Sequence, residues 1–358
     1  MFLMKVFKKI GVICAVFAAI LFGASTPAAK FLLGQIDPWL LAGILYLGSG
    51  VGIIIILLLQ YFFKQHDTKD TAFSKYDWLW LGSATLFGGI IGPVMLMSAL
   101  VGAGAASVSL LLILESVFTA IIAWTVFREH TDKKLIFGVV LIIAGSFVLS
   151  FNFASPVNLK AALLVIGACF AWAIDNNLTR NISAANPLKI VAIKSTVAGI
   201  TNTTLALMMG AVLPTDFYVI AISSVVGFLG YGFSLILFVL ALRHIGTART
   251  SSYFSLAPFV GACCAIIFLG EPLSWQLILA GTLMGAGLWL HITEQHEHWH
   301  EHESLIHDHT HIHDEHHQHE HKTTDPTDAP HSHLHEHAPL LHSHFHYPDI
   351  HHRHKHKK

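Results

Sequence analysis

Ten stretches of this chain are apolar for about the twenty residues that a helix needs to cross a bilayer. They cover roughly 10–33, 39–63, 78–100, 105–127, 135–153, 160–182, 189–213, 217–241, 250–269 and 275–293. The breaks between them are short and carry turn chemistry, such as Asp37-Pro38, Ser155-Pro156, Asn186-Pro187 and Pro214. In lipid every backbone polar group must be satisfied internally, so continuous apolar runs of this length read as helices. The fold class is therefore an all-α polytopic membrane protein with ten transmembrane helices. The lysines Lys5, Lys8 and Lys9 before Ile10 imitate a signal peptide, but the run extends to about Leu33, and a retained first helix is expected.

The runs are duplicated. Setting Ala106 against Ala248 brings Glu129 onto Glu271, Leu135 onto Leu277, and Ala144-Gly145 onto Ala286-Gly287. At an offset of 150, Phe22 falls on Trp172, and Lys30 on Arg180. Five spans per copy is an odd number, so the copies must be inverted relative to each other, the arrangement of many transporters. This gives a first five-helix repeat over 1–153 and a second over 154–293. Lysine and arginine favour one set of loops: Lys5, Lys8 and Lys9; Lys64, Lys69 and Lys75; Arg128, Lys133 and Lys134; Lys189; Arg243 and Arg249. That bias places both termini in the cytoplasm of a multi-pass protein of the inner membrane.

Composition splits at the end of the last run. Residues 1–290 hold 16 Lys+Arg against 10 Asp+Glu, whereas 291–358 hold 5 against 12. The same tail carries 24 of the 27 histidines. It is too hydrophilic to bury a core, so 294–358 is expected to be a disordered cytoplasmic tail in the absence of metal. The four cysteines, Cys14, Cys169, Cys263 and Cys264, all lie in apolar runs and form neither a disulfide framework nor a zinc pattern.

Glu115 stands near the middle of the fourth run. An ionisable group there costs about 2.5–3.5 kcal/mol on insertion scales, so it faces a cavity or a partner. It can exchange a proton or coordinate a cation; a structural ion pair or a hydrogen bond between helices is the alternative. The sixth run carries Asp175, Asn176, Asn177, Thr179 and Arg180. Asp175 and Thr179 share one helical face, and Asn176 and Arg180 the next. Such density reads as the lining of a polar cavity whose oxygen ligands suit hard cations, with a local Asp175–Arg180 pair as the alternative. The matching place in the first run is Ser25-Thr26-Pro27, where Pro27 frees a backbone carbonyl for a ligand or simply kinks the helix. Glu129 and Glu271, at helix ends, read as boundary or interhelical contacts. Gly102 to Ala106 reads as close packing or a tight turn.

In the tail, histidine alternates with other residues. His296, His298, His300, His302, His307, His309, His311, His313, His331, His333, His335 and His337 are the candidate metal ligands. Imidazole suits nickel, cobalt and zinc, and the lack of a fixed spacing points to several exchangeable sites instead of one tightly bound cofactor. A pH-sensitive polyelectrolyte is the other reading.

With those residues in view, positions 10–293 resemble the drug/metabolite transporter superfamily, in particular its EamA-type members. The resemblance rests on the paired Glu129 and Glu271, the two Ala-Gly closures, and Phe22-Gly23 against Trp172-Ala173. It implies ten helices in two inverted halves and secondary transport, frequently export, with a chemically broad choice of substrate. Family members often carry proline in the middle of the fourth helix. Here Pro258 is present in the second copy, while Glu115-Ser116 fall on Ala257-Pro258 in the first. Histidine-tailed members are similar to proteins linked with nickel and cobalt resistance.

The expected function is export of a divalent transition metal, nickel or cobalt and then zinc, by proton antiport through Glu115, with the tail capturing metal. The alternatives are an exporter of a small organic metabolite with a regulatory tail, and a membrane-anchored metal store or sensor. The partners are the lipid bilayer and the transported species; a homodimer is compatible with the sequence, and nucleic acid is not expected. No nucleophile–base pair, nucleotide loop or catalytic metal motif argues for an enzyme.

Overall fold

A computed structural model of the chain describes residues 2–63, 75–126, 133–150, 159–180, 182, 185–245, 250, 253–292, 296–302, 305–311, 331–337 and 340–346. It divides into two compact units, Met1–Glu294 and Gln295–Lys358.

The first unit is helical. Its elements are α1 (Phe2–Leu32), α2 (Pro38–Phe62), α3 (Lys75–Ala84), a π-helical turn π1 (Thr85–Ile91) and α4 (Gly92–Val101). Next come α5 (Ala105–Leu111), α6 (Leu114–Val126), α7 (Lys133–Ser150), α8 (Leu159–Arg180) and α9 (Pro187–Met208). After these come α10 (Phe217–Gly227), a second π turn π2 (Phe228–Phe233), α11 (Ser234–Ile245), α12 (Ala257–Leu269) and α13 (Trp275–Ile292). The Asp-Pro and Asn-Pro breaks act as helix starts. Asp37 accepts from Trp39 N at 2.9 Å and Leu40 N at 3.2 Å, and Asn186 accepts from Leu188 N at 3.0 Å. Each is followed by a proline at the first helical position, where the missing N–H has no intrahelical use.

Among the described residues, six helices are long and apolar enough to cross a membrane: Ile10–Leu32, Pro38–Phe62, Tyr76–Val101, Leu159–Thr179, Pro187–Met208 and Phe217–Ala241. The apolar helices Ala105–Thr119, Ile136–Leu149, Ala257–Leu269 and Trp275–Leu290 are shorter than expected from the apolar runs. One cause is visible in the fourth run. The helix breaks at Leu112-Ile113, where Ile113 N, Glu115 N and Ser116 N each bond a carbonyl three residues back at 3.0–3.1 Å. The ninth run breaks at the matching place, Ser255-Leu256, just before Pro258. The first copy breaks without proline. There the Ser116 hydroxyl donates to the Ile113 carbonyl at 2.7 Å, a side-chain bond that competes with regular helix.

Helices at matching places pack reciprocally. α2 lies on α9, and α7 on α13. α1 packs against α11 and α12, while α8 packs against α4 and α6. Ser49 and Ser195 hydroxyls meet at 2.8 Å where α2 crosses α9. The core holds Leu40, Leu41, Leu45, Met97, Leu100 and Leu111. Large apolar side chains such as Ile55, Leu58, Phe137 and Ile278 point outward, as lipid-facing surfaces do and water-facing ones rarely do.

Glu271 makes an interhelical contact. It lies beyond α12, and its carboxylate accepts from Ala105 N at 2.6 Å and Ala106 N at 2.9 Å, capping α5. Lys30 closes the neighbouring end of α4 by donating to Leu100 O at 2.5 Å and Ala103 O at 3.0 Å. The 102–106 stretch is thus a tight turn clamped from both sides. Glu129 lies outside the described residues.

In the second unit, β1 (His296–His302) pairs antiparallel with β4 (Leu340–His346), and β2 (Leu305–His311) with β3 (His331–His337). These four segments take the extended, paired form of strands. Histidine alternating with other residues is also a period of two, the repeat of a strand. The register sets His298 opposite His344 and His307 opposite His335. His313 lies outside the described residues.

Candidate functional site

α8 is the spine of the site. Its apolar turns hold it against α4, π1 and α6, and its C-terminal half supplies Trp172, Asp175, Asn176 and Thr179. The four-residue spacing brings the Thr179 hydroxyl onto Asp175 Oδ1 at 2.9 Å. Asn176, one position round the helix, donates from Nδ2 to Glu115 Oε1 at 2.7 Å. The two carboxylates that the sequence singles out thus lie in one polar cluster, and Asn176 links them.

Asp175 has a further partner that the sequence reading did not single out. Lys194, from α9, donates to Asp175 Oδ1 at 2.5 Å and also contacts Oδ2. The two side chains are only 7% and 9% exposed. The alternative of a local Asp175–Arg180 pair gives way to this one as the described partner of Asp175; the Arg180 side chain lies outside the described residues. Lys194 was legible by the rule applied to Glu115, since a lone charge inside an apolar helix needs a partner.

Four other expected residues take different places. Asn177 turns back to its own helix, donating to Ala173 O at 2.8 Å. Ser25 donates to Phe22 O at 2.6 Å, also within its helix. Thr26 is buried. Pro27 sits inside α1, which continues to Leu32.

The floor of the cluster is π1. A π turn leaves its carbonyls off the ordinary helical ladder and is often found at functional sites. Here Gly88 O accepts from Tyr46 OH at 2.8 Å and from Trp172 Nε1 at 3.0 Å, and Gly89 O accepts from Asn202 Nδ2 at 2.9 Å. Gly88 is required: a Cβ there would overlap the Asp175 carboxylate. One wall is aromatic. Phe22 meets Trp172 edge-on at 6.0 Å between centroids and Tyr231 at 5.8 Å, and Tyr46 meets Tyr231 at 5.3 Å.

Among the described residues, no group of three or more His, Cys, Asp or Glu is placed to hold a metal ion. Glu115 and Asp175 are within electrostatic reach of each other and of Lys194, so the acids face an ammonium. A separate groove at the start of α2, lined by Asp37, Trp39, Ser98 and Met209 among others, contains none of these groups.

The EamA-like transporter family model matches residues 9–151 and 159–293. An uncharacterized transporter of Methanothermobacter thermautotrophicus is 28% identical over 294 residues, covering 78% of this chain and 85% of that protein. An uncharacterized transporter of Bacillus subtilis is 26% identical, covering 75% and 86%. A probable amino-acid metabolite efflux pump of Salmonella typhimurium is 27% identical, covering 53% and 68%. One crystal structure matches with a TM-score of 0.59 at 18% identity, over 79% of this chain and 98% of that one, a likeness of fold alone.

Proposed function

The chain belongs to the EamA-like transporter family, and from that premise we propose that it exports a small organic metabolite through the Glu115–Asp175–Lys194 cluster. It is a multi-pass membrane transporter and not an enzyme. The observation that carries the substrate reading is Lys194. A divalent metal ion would have to enter beside an ammonium that already neutralises Asp175, and like charges brought together at low dielectric repel strongly. An organic substrate with its own polar groups meets no such barrier, and the aromatic wall of Phe22, Trp172, Tyr46 and Tyr231 suits its apolar body. The relative from Salmonella typhimurium, a probable amino-acid metabolite efflux pump, supports the same choice. The metal-export reading loses its footing in the membrane unit, and the metabolite alternative takes its place.

In this reading ten helices form two inverted halves, 1–153 and 154–293, in the inner membrane with both termini cytoplasmic. Access alternates between the halves, and Glu115 carries the proton or contacts the substrate. Asp175, Asn176 and Thr179 are the polar lining, and Asn177, Ser25, Thr26 and Pro27 shape the helices behind it. The tail, 294–358, is accessory: His296 to His337 bind nickel, cobalt or zinc exchangeably and report metal to the transporter.

The test is untargeted metabolite profiling of medium and cells at matched expression of the intact protein and Glu115→Gln. The intact protein is expected to move one or a few small organic compounds outward. Loss of the charged Asn176–Glu115 bond should cut that flux about tenfold or more. A fall in cell nickel, cobalt or zinc with no metabolite moved would return the function to metal export.

A further inference from the structure

Residues two apart along a strand lie on one face of it, so each strand pair of the second unit has a face on which histidine recurs. In the β1–β4 pair the register sets His296 opposite His346, His298 opposite His344, and His300 opposite His342. The fourth rung of that face is His302 opposite Leu340. The β2–β3 face repeats the pattern, from Leu305 opposite His337 to His311 opposite His331. Each pair thus carries three rungs of histidine against histidine and one of histidine against leucine. A slip of one residue would abolish all of them at once, since it sets His298 against Ser343 or Phe345.

Building on the reading of the tail as an exchangeable metal binder, we propose that each histidine–histidine rung is one site for a divalent transition-metal ion, held by two imidazoles from opposed strands. The rungs bring in His342, His344 and His346 as ligands and leave out His302 and His337, which stand opposite leucine. Distance favours the opposed partner. Opposed residues of an antiparallel pair have Cβ atoms about 4.5–5.5 Å apart. Residues i and i+2 of one strand are roughly 6.6 Å apart, at about 3.3 Å per residue. Imidazole nitrogens suit nickel, cobalt and zinc. A rung supplies two of them and leaves the other positions to water, so the ion can leave again. Chain connectivity favours the same choice. The partner strands are remote in sequence, and their pairing bears the entropy of closing the chain between them. An ion that binds the paired strands and not the open chain stabilises the pairing by mass action. Metal binding and strand pairing are then one equilibrium, which turns metal level into a change of shape in the tail.

The experiment is equilibrium dialysis of the purified full chain in detergent against saturating nickel, counting ions bound per chain. Histidines elsewhere in the chain add the same background to every variant. His298→Ala and His344→Ala should each lose one ion, and H298A/H344A still only one, because both residues belong to one rung. H298A/H300A should lose two, and His302→Ala none. Leu340→His, which completes the fourth rung with His302, should gain one. The proposal is overturned if H298A/H344A loses two ions, if H298A/H300A loses one, or if Leu340→His gains none. Losses that simply follow the number of histidines removed would leave the tail a metal binder and remove the rungs. No nickel bound by the intact protein would remove both. None of these variants lies in the membrane unit, so metabolite profiling tests export separately.

Discussion

Ser25 in α1 and Asp175 in α8 occupy matching places in the two copies of the helix set, 150 residues apart. Both are buried. Each lies against a glycine of a π turn in the other copy: Asp175 against Gly88 of π1, Ser25 against Gly230 of π2. The backbone scaffold is thus the same on both sides. The chemistry is not. Ser25 bonds its own helix through Phe22 O, whereas Asp175 reaches out to Lys194. Duplication supplies two equivalent cradles, and the chain has charged only one of them. The function follows the charge, since Ser25 gives its one proton to its own helix and carries no charge to offer a ligand.

The largest effect should come from breaking that contrast at its charged end. Lys194→Met leaves Asp175 buried and unpaired, a loss of about 3–5 kcal/mol. A melting scan of the purified protein should show a much lower midpoint. K194M/D175N should recover most of it, because a neutral pair of similar volume is often neutral or stabilising. If the single variant melts like the intact protein, Asp175 is not held by Lys194, and the contrast with Ser25 disappears.

A middle-sized effect tests the cradles themselves. Gly88→Ala and Gly230→Ala both force a methyl group into an occupied space, at about 1–3 kcal/mol each. Their stabilities should fall alike, and their transport should not. The new methyl at 88 displaces the Asp175 carboxylate, so metabolite efflux should collapse. At 230 it presses on Ser25, and efflux should follow protein abundance only. Equal loss of efflux per folded molecule would make both cradles functional.

The same contrast marks how much the sequence alone could say. Apolar runs, Asp-Pro and Asn-Pro starts, and a lone acid at Glu115 are local signals; the starts and the acid appear where they were read, while six runs form helices of spanning length and four form shorter ones. Asp175 and Asn176 were legible because polar density inside an apolar run has few explanations. Lys194, one of two lysines in Pro187–Met208, was legible as a charge inside an apolar run, but which carboxylate it meets is set by the packing of α9 on α8 and not by its neighbours in sequence. Asn177 shows what sequence density leaves out, because one step along a helix turns a side chain by about 100°, and its amide donates to Ala173 O of its own helix. The two π turns left a trace in the paired glycines of 85–91 and 228–233, but glycine alone does not specify a register. The tail strands share their period of two with a histidine count that pointed first to metal.

Ser25→Ala should be a smaller change, about 0.5–1.5 kcal/mol for one neutral hydrogen bond. Efflux per folded molecule should be unaltered, measured beside the intact protein in the profiling assay. Loss of efflux at normal abundance would make Ser25 a ligand and not a satisfied helix residue.

The smallest effect is expected from making the fourth helix resemble the ninth. Ser116 falls on Pro258, and both helices break just before that position. In an intact helix interior a proline costs about 3 kcal/mol or more, through a lost hydrogen bond and a clash with the carbonyl four residues back. At 116 the regular ladder is already interrupted. The Ser116 N–H reaches only Ile113 O, at 3.1 Å, and the Ser116 hydroxyl bonds the same carbonyl at 2.7 Å. Ser116→Pro therefore forfeits one backbone bond and one side-chain bond while fixing a φ suited to a helix start. The net change in stability should stay within about 1 kcal/mol in the melting scan. Efflux is the sharper readout. Proline disfavours helical backbone at the residue before it, which is Glu115. A protein of normal stability with weakened efflux would show that the break is there to aim Glu115 at Asn176, and that serine, unlike proline, leaves that carboxylate in reach.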